Sequence, residues 1–167
     1  MRKRIAMPIL AGAMLALAPS GSEPSKMSMP MLRSYLDRMG ARYVAHPKSE
    51  HTLVVARTAN DRADRVDLYV DMRPDNTLVL TAYAKEKGRY FSLRRAASRE
   101  KVLQRLLAAN HHAFATFFVD EQEDIGVRFT FTTEDGVGFE SFRVAATELL
   151  RIADEYTPIL EDYMRKD

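Results

Sequence analysis

The chain has 167 residues, 46 % of them apolar and 29 % charged, the balance of an ordinary globular protein rather than a disordered or fibrous one. It contains no cysteine, which excludes disulfides, thiolate metal sites, iron–sulfur clusters and cysteine nucleophiles together. Its formal charge of +2 is a property of the leader rather than of the fold. Met1-Arg2-Lys3-Arg4 is a short cationic start, followed by 14 uncharged, largely apolar residues at 5–18 and then Pro19-Ser20-Gly21-Ser22. A basic start, an apolar stretch and the small-residue exit Ala16-Leu17-Ala18 are the three parts of a secretory signal. The stretch falls short of the ~18 apolar residues that cross a bilayer. The sequence therefore predicts a signal peptide over 1–18, cleaved near Ala18, and a periplasmic or secreted mature chain without a transmembrane segment. That mature chain carries 22 basic against 23 acidic residues, a net charge of −1. It lacks the basic excess of a nucleic-acid binder, so no nucleic-acid partner is expected.

Residues 19–29 read as a linker, and 30–167 as a single domain. Pro30 precedes Leu32, Tyr35, Leu36 and Met39 at helical spacing, with Gly40 as the stop, which predicts a helix over 30–39. Period-two segments follow at 41–46 and 52–58. After a turn at 60–64, Val66, Leu68, Val70 and Met72 alternate with Asp67, Tyr69 and Asp71 over 65–72, and Pro74-Asp75-Asn76 turns into a partner strand over 77–84. These four strands describe an antiparallel meander. Ser98 is a candidate N-cap for a helix carrying Val102, Leu103, Leu106, Leu107 and Asn110. Strands over 114–119 and 125–132 are joined by the acidic turn Asp120-Glu121-Gln122-Glu123-Asp124. Phe142, Ala145, Leu149, Ile152, Tyr156, Ile159 and Tyr163 recur at steps of three and four, predicting a long helix over 141–164 that contains Pro158. The fold class is α+β: an antiparallel sheet with helices on one face, in the order α-β-β-β-β-α-β-β-α.

The search for chemistry yields no catalytic residue, metal site or cofactor. Adjacent His111 and His112 diverge at a helix end, and His46 and His51 flank a turn, whereas a zinc site needs three or four convergent ligands. The acidic turn lacks the glycine and glutamate of a calcium loop, carrying Ile125 and Phe131 at those positions. Asp67 and Asp71 share a strand face but stand ~13 Å apart at ~3.3 Å per residue, too far for a glycosidase or aspartic pair. Gly136-Val137-Gly138, surrounded by Glu134, Asp135 and Glu140, reads as a flexible loop rather than a phosphate cradle. Arg89, Arg94, Arg95, Arg99, Lys101 and Arg105 form a basic cluster that reads as a solvated face or as a dock for an acidic partner. Tyr69 and Tyr83 stand in opposite phase to Leu68 and Ala82. They are therefore expected either on the open face of the sheet, where aromatics suit an interface, or beneath the last helix.

Several segments together carry a family resemblance. The opening helix ends in Gly40 and is followed by Ala41-Arg42-Tyr43-Val44 and Thr52-Leu53-Val54-Val55. Arg65-Val66-Asp67-Leu68-Tyr69-Val70 and Thr77-Leu78-Val79-Leu80 come next. Val102-Leu103-Gln104-Arg105-Leu106-Leu107-Ala108-Ala109-Asn110 precedes an aromatic strand and hairpin, and Ala153-Asp154-Glu155-Tyr156-Thr157-Pro158-Ile159-Leu160 closes the pattern. Over residues ~30–164 the chain resembles the YbjN family, whose fold is similar to that of type III secretion chaperones. The resemblance implies a non-enzymatic binding or regulatory protein, often dimeric, and transfers no functional residue. The expectation is an exported module that binds another polypeptide or itself as a homodimer, with Tyr69, Tyr83, Arg94 and Arg95 as candidate contacts. The alternatives are a small-ligand binder or a hydrolase whose site assembles from distant residues, and a structural envelope component.

Overall fold

The computed structural model describes residues 26–57, 65–111 and 114–164. The expected leader, most of the linker, the turn at 60–64 and His112 lie outside the described residues. Helix α1 (Met29–Arg38) starts where Ser28 Oγ accepts from the Met31 N–H at 3.4 Å and Pro30 occupies a first-turn position that has no partner to lose. It ends as predicted at Gly40, whose φ of +65° lets Gly40 N–H reach Asp37 O and Ala41 N–H reach Leu36 O at 2.9 and 3.0 Å. That is a Schellman closure, and a residue with a Cβ would be strained there.

The chain then builds β1 (Tyr43–His46), β2 (Ser49–Arg57), β3 (Arg65–Met72), β4 (Thr77–Glu86) and the short β5 (Arg89–Tyr90). A 3₁₀ turn (Leu93–Arg95), α2 (Arg99–Asn110), β6 (Thr116–Val119), β7 (Ile125–Thr132) and α3 (Phe139–Glu161) complete it. All the strand pairings are antiparallel, in the order β1-β2-β3-β4-β7-β6, with β5 hydrogen-bonded to the end of β4. The predicted order holds, with β5 added. Its signal is local: Lys87 and Gly88 both have positive φ, +50° and +75°, the type I′ geometry that joins two-residue hairpins.

The period-two pattern sorts the sheet into two faces. Leu53, Val55, Val66, Leu68, Val70, Leu78, Leu80, Ala82, Ala84 and Val127 join one core with Leu32 and Leu36 of α1, Val102 and Leu106 of α2, and Phe142, Ala145, Leu149 and Leu160 of α3. All three helices therefore cover the same face. α3 is continuous through Pro158, and the buried Thr157 hydroxyl donates to the Ala153 carbonyl at 3.1 Å.

Four local expectations need correction. Leu103 and Leu107 are 40 % and 70 % exposed, because the buried stripe of α2 is only Val102, Leu106 and Ala109. The strand predicted from residue 114 begins at Thr116, and Phe114 instead stacks on Phe129 at 4.4 Å. The loop at Gly136–Gly138 is anchored: Val137 is buried and its carbonyl accepts the Tyr35 hydroxyl at 2.8 Å. The acidic turn and the basic cluster are not separate solvated faces, since Glu123 pairs with both Arg94 and Arg99. Asn110 closes the edge of β6 by donating to Phe117 O and accepting from Phe117 N at 3.0 and 2.6 Å, which occupies backbone groups that would otherwise template another strand.

Candidate interaction surface

On the face away from the helices, the odd-numbered residues of β3 and β4 place Asp67, Tyr69 and Asp71 opposite Tyr83, Thr81 and Val79 respectively. The β4–β5 register adds Tyr90 opposite Lys85. Four rings cross the sheet as a ridge. His46 meets Tyr69 at 6.0 Å, Tyr69 meets Tyr83 at 5.7 Å, and Tyr83 meets Phe118 at 5.9 Å, all close to edge-to-face. These separations lie in the favourable range for aromatic pairs. Tyr90 leans on Tyr83 at 5.2 Å. Gly126 makes room for the ridge: a Cβ there would sit 2.9 Å from the rings of both Phe118 and Tyr83.

Beneath the rings is a charge cluster. Asp67 is 3 % exposed, yet it receives Arg65 Nε, Lys85 Nζ and the Tyr90 hydroxyl, each at 2.7 Å. Burial alone would raise its pKa. The hydrogen bonds from Lys85 and Tyr90 and the charges of Lys85 and Arg65 outweigh burial and hold the carboxyl below its ordinary value. An ionised Asp67 can only accept, so the single Tyr90 proton points to it. The 2.8 Å contact between the Tyr69 and Tyr90 oxygens must then be donated by Tyr69. Tyr83 donates to Asp120 Oδ2 at 3.1 Å. Burial pushes both phenols far up, helped at Tyr83 by the charge and hydrogen bond of Asp120 and at Tyr90 by the hydrogen bonds with Tyr69 and Asp67.

The result is an open cleft of about 360 Å³, lined among others by His46, Tyr69, Asp71, Tyr83, Asp120 and Asp124. The tip of the β6–β7 hairpin forms one wall, held by Asp120 Oδ1, which accepts the N–H groups of Gln122 and Asp124 at 2.9 and 2.8 Å. By contrast, the gap between sheet and α3 near Ala82, Phe117 and Tyr156 measures only about 10 Å³. That is at most the room of one water, whereas an opening of about 690 Å³ lies between α1, the β2–β3 part of the sheet and α3, bordered by Leu36, Arg38, Val55, Leu68, Arg143 and Leu150.

Of the four candidate contacts, Tyr69 and Tyr83 lie on the open face and meet edge to face, not beneath α3. The two arginines do not join them. Arg94 is exposed and pairs with Glu123, Arg95 donates to the Tyr90 carbonyl, and the charges of both act on the cleft carboxylate Asp124. Sequence reasoning missed Tyr90, Asp120 and Asp124. Tyr90 was detectable from the Lys87-Gly88 hairpin signal; the convergence of β4 with the β6–β7 tip depends on long-range pairing that no local pattern carries.

The fold and this face define a class: an α+β protein whose helices cover one side of an antiparallel sheet and leave a concave aromatic surface on the other. A family model described as "Putative bacterial sensory transduction regulator" matches residues 31–162, and the chain belongs to that family, YbjN. The crystal structure of YbjN from E. coli, described as "a putative transcription regulator", superposes with a TM-score of 0.56 at 20 % identity, covering 85 % of this chain and all of that one. The ExsC–ExsE complex contains a similar chain, with a TM-score of 0.53 at 16 % identity, covering 76 % of this chain and 88 % of that one. At these identities the likeness is one of fold. No curated protein matches the chain.

Proposed function

We propose that this chain is an exported, non-enzymatic module that binds polypeptides on the open face of its sheet, at the Tyr69–Tyr83–Tyr90 cleft. The observation that carries this reading is the aromatic ridge, half-buried and uncovered by any helix among the described residues. Tyrosines of this kind, large and with few rotatable bonds, are enriched where proteins bind one another. Family membership supports a binding or regulatory role, and the fold shared with a chain of the ExsC–ExsE complex supports a polypeptide as the partner. Export rests on the tripartite leader at 1–18, with a linker to about residue 29 and one domain beyond it. We include self-association in the proposal, supported by Leu103 and Leu107, exposed one turn apart on α2.

The reading is tested by placing a photo-reactive phenylalanine at Gln122, on the rim of the cleft, and at Arg151, on the exposed side of α3. Crosslinking in the native cell envelope should give a discrete protein adduct from position 122 and none from 151. Adducts from 151 alone would overturn it. Size-exclusion chromatography with light scattering tests self-association, and a strict monomer at high concentration removes that part.

A further inference from the structure

We infer that the cleft receives a cationic side chain, an arginine or lysine presented by the docked polypeptide, between the rings of Tyr69 and Tyr83 and the carboxylates of Asp71, Asp120 and Asp124. This rests on the open face being the docking surface.

Three independent features of the cleft agree. Its lining carries three carboxylates, Asp71, Asp120 and Asp124, against one guanidinium, Arg73, which is 44 % exposed and already tied to Asp71 at 3.2 Å. Charge complementarity therefore selects a cation and repels an anion. The carboxyl of Asp124 is pushed up by burial and then by the charge of Asp120, which together outweigh the hydrogen bond from Ser92 and the opposing charges of Arg94 and Arg95.

Apart from that of Thr81, the hydroxyl protons of the cleft are committed internally. Tyr69 donates to Tyr90, Tyr90 to Asp67, and Tyr83 to Asp120. Thr52 donates to Asp71 at 2.9 Å, which leaves its 2.8 Å contact with Ser49 to be donated by Ser49. His46, Thr81 and Gln122 retain donors, but the surplus capacity of the site lies in the phenolic oxygen of Tyr69 and the carboxylate oxygens. An acceptor-rich site is completed by a donor-rich ligand, and guanidinium and ammonium groups carry donors only.

Two of the rings that touch Tyr83 already meet cations. Lys85 Nζ lies 4.4 Å from the ring centre of Tyr90, and the Arg128 guanidinium lies 4.1 Å from that of Phe118. Among the described residues no cation lies over Tyr83, which touches both of these rings, or over its neighbour Tyr69. An incoming side chain would continue the pattern and gain both ring and carboxylate contacts.

The experiment uses the full chain and two capped peptides, acetyl-(Gly-Arg)₃-amide and its citrulline counterpart, which keeps the shape and loses the charge. With no Trp and seven Tyr, intrinsic fluorescence reports on tyrosine alone, and amide NMR shifts locate the site. The arginine peptide should bind at least tenfold more tightly than the citrulline peptide, with shifts concentrated at residues 69–71, 81–83 and 120–124. Asp124→Asn should weaken it about fivefold, as should Asp71→Asn. Equal binding of the two peptides, or shifts spread away from the cleft, would overturn the inference. If a variant fails to fold, the comparison of peptides on the unmodified chain still decides. A protein adduct from position 122 combined with equal binding of both peptides sinks the cation and leaves the docking surface standing. Selective arginine binding in the cleft with no adduct there does the reverse.

Discussion

Replacing Asp67 by Asn removes a buried carboxylate that ties Arg65, Lys85 and Tyr90 together under the aromatic face. The side chain is 4 % exposed, and its cationic partners Lys85 and Arg65 are 17 % and 49 % exposed. Breaking a buried ion pair from one side costs ~3–5 kcal/mol because the remaining charge is stranded. Here Arg65 can turn to water, Lys85 keeps its contact with the Tyr90 ring, and the new amide oxygen can still accept from Tyr90. The expected loss is therefore about 2–3 kcal/mol, a fall in melting temperature of ~5–10 °C for a domain of this size. Urea unfolding followed by circular dichroism at pH 7 measures it. The difference must also depend on pH. Because the carboxyl is held below its ordinary value in the fold, its contribution is present above the unfolded-state value and is lost as pH falls through the folded-state value. Between about pH 5 and pH 2 the two proteins should converge. A loss under about 1 kcal/mol at pH 7, or a gap that persists in acid, would refute the account of this cluster.

Further outcomes follow from the same geometry. Gly126→Ala forces a Cβ to within 2.9 Å of two rings and should cost ~1–3 kcal/mol by overpacking, with the Tyr83 and Phe118 resonances displaced in NMR spectra. In a spectrophotometric titration, Tyr83 and Tyr90 should stay protonated well above the ordinary phenol range. Since folding raises their values, their contribution is intact below pH ~10 and is lost above it, so ionisation and alkaline unfolding should coincide. Asn110→Ala removes two hydrogen bonds that close β6 and should cost ~1–3 kcal/mol, with increased aggregation measured by light scattering. Phe142→Ala, at a fully buried position, should cost ~3–5 kcal/mol in chemical denaturation.

Those residues also mark how far the sequence could be read. β3 and β7 coincide with the predicted spans because strict alternation over eight residues leaves one choice of face. Gly40 and Ser98 end and begin their helices as predicted because each signal acts on the nearest turn of backbone. The same alternation set Tyr69 and Tyr83 in opposite phase to Leu68 and Ala82, but it left the open face and the underside of the last helix as alternatives and could not say what stands beside them. That depends on β7 joining β4, on Gly126 leaving space, and on the β6–β7 tip bringing Asp120 within reach of a residue 37 positions away. Leu103 and Leu107 failed for a related reason. A helical period names a face, but only the packing partner decides how wide the buried stripe is, and the strand against which α2 packs most is β6, at the edge of the sheet.

The most direct measurement is the affinity of the protein captured at position 122 for the unmodified chain and for the Tyr69→Ala/Tyr83→Ala double variant. If the ridge is the binding hot spot, the double variant should lose more than ~2 kcal/mol, about thirtyfold in Kd or greater, while Arg151→Ala stays within about twofold. An unchanged affinity in a folded double variant, or a larger loss at Arg151, would contradict it.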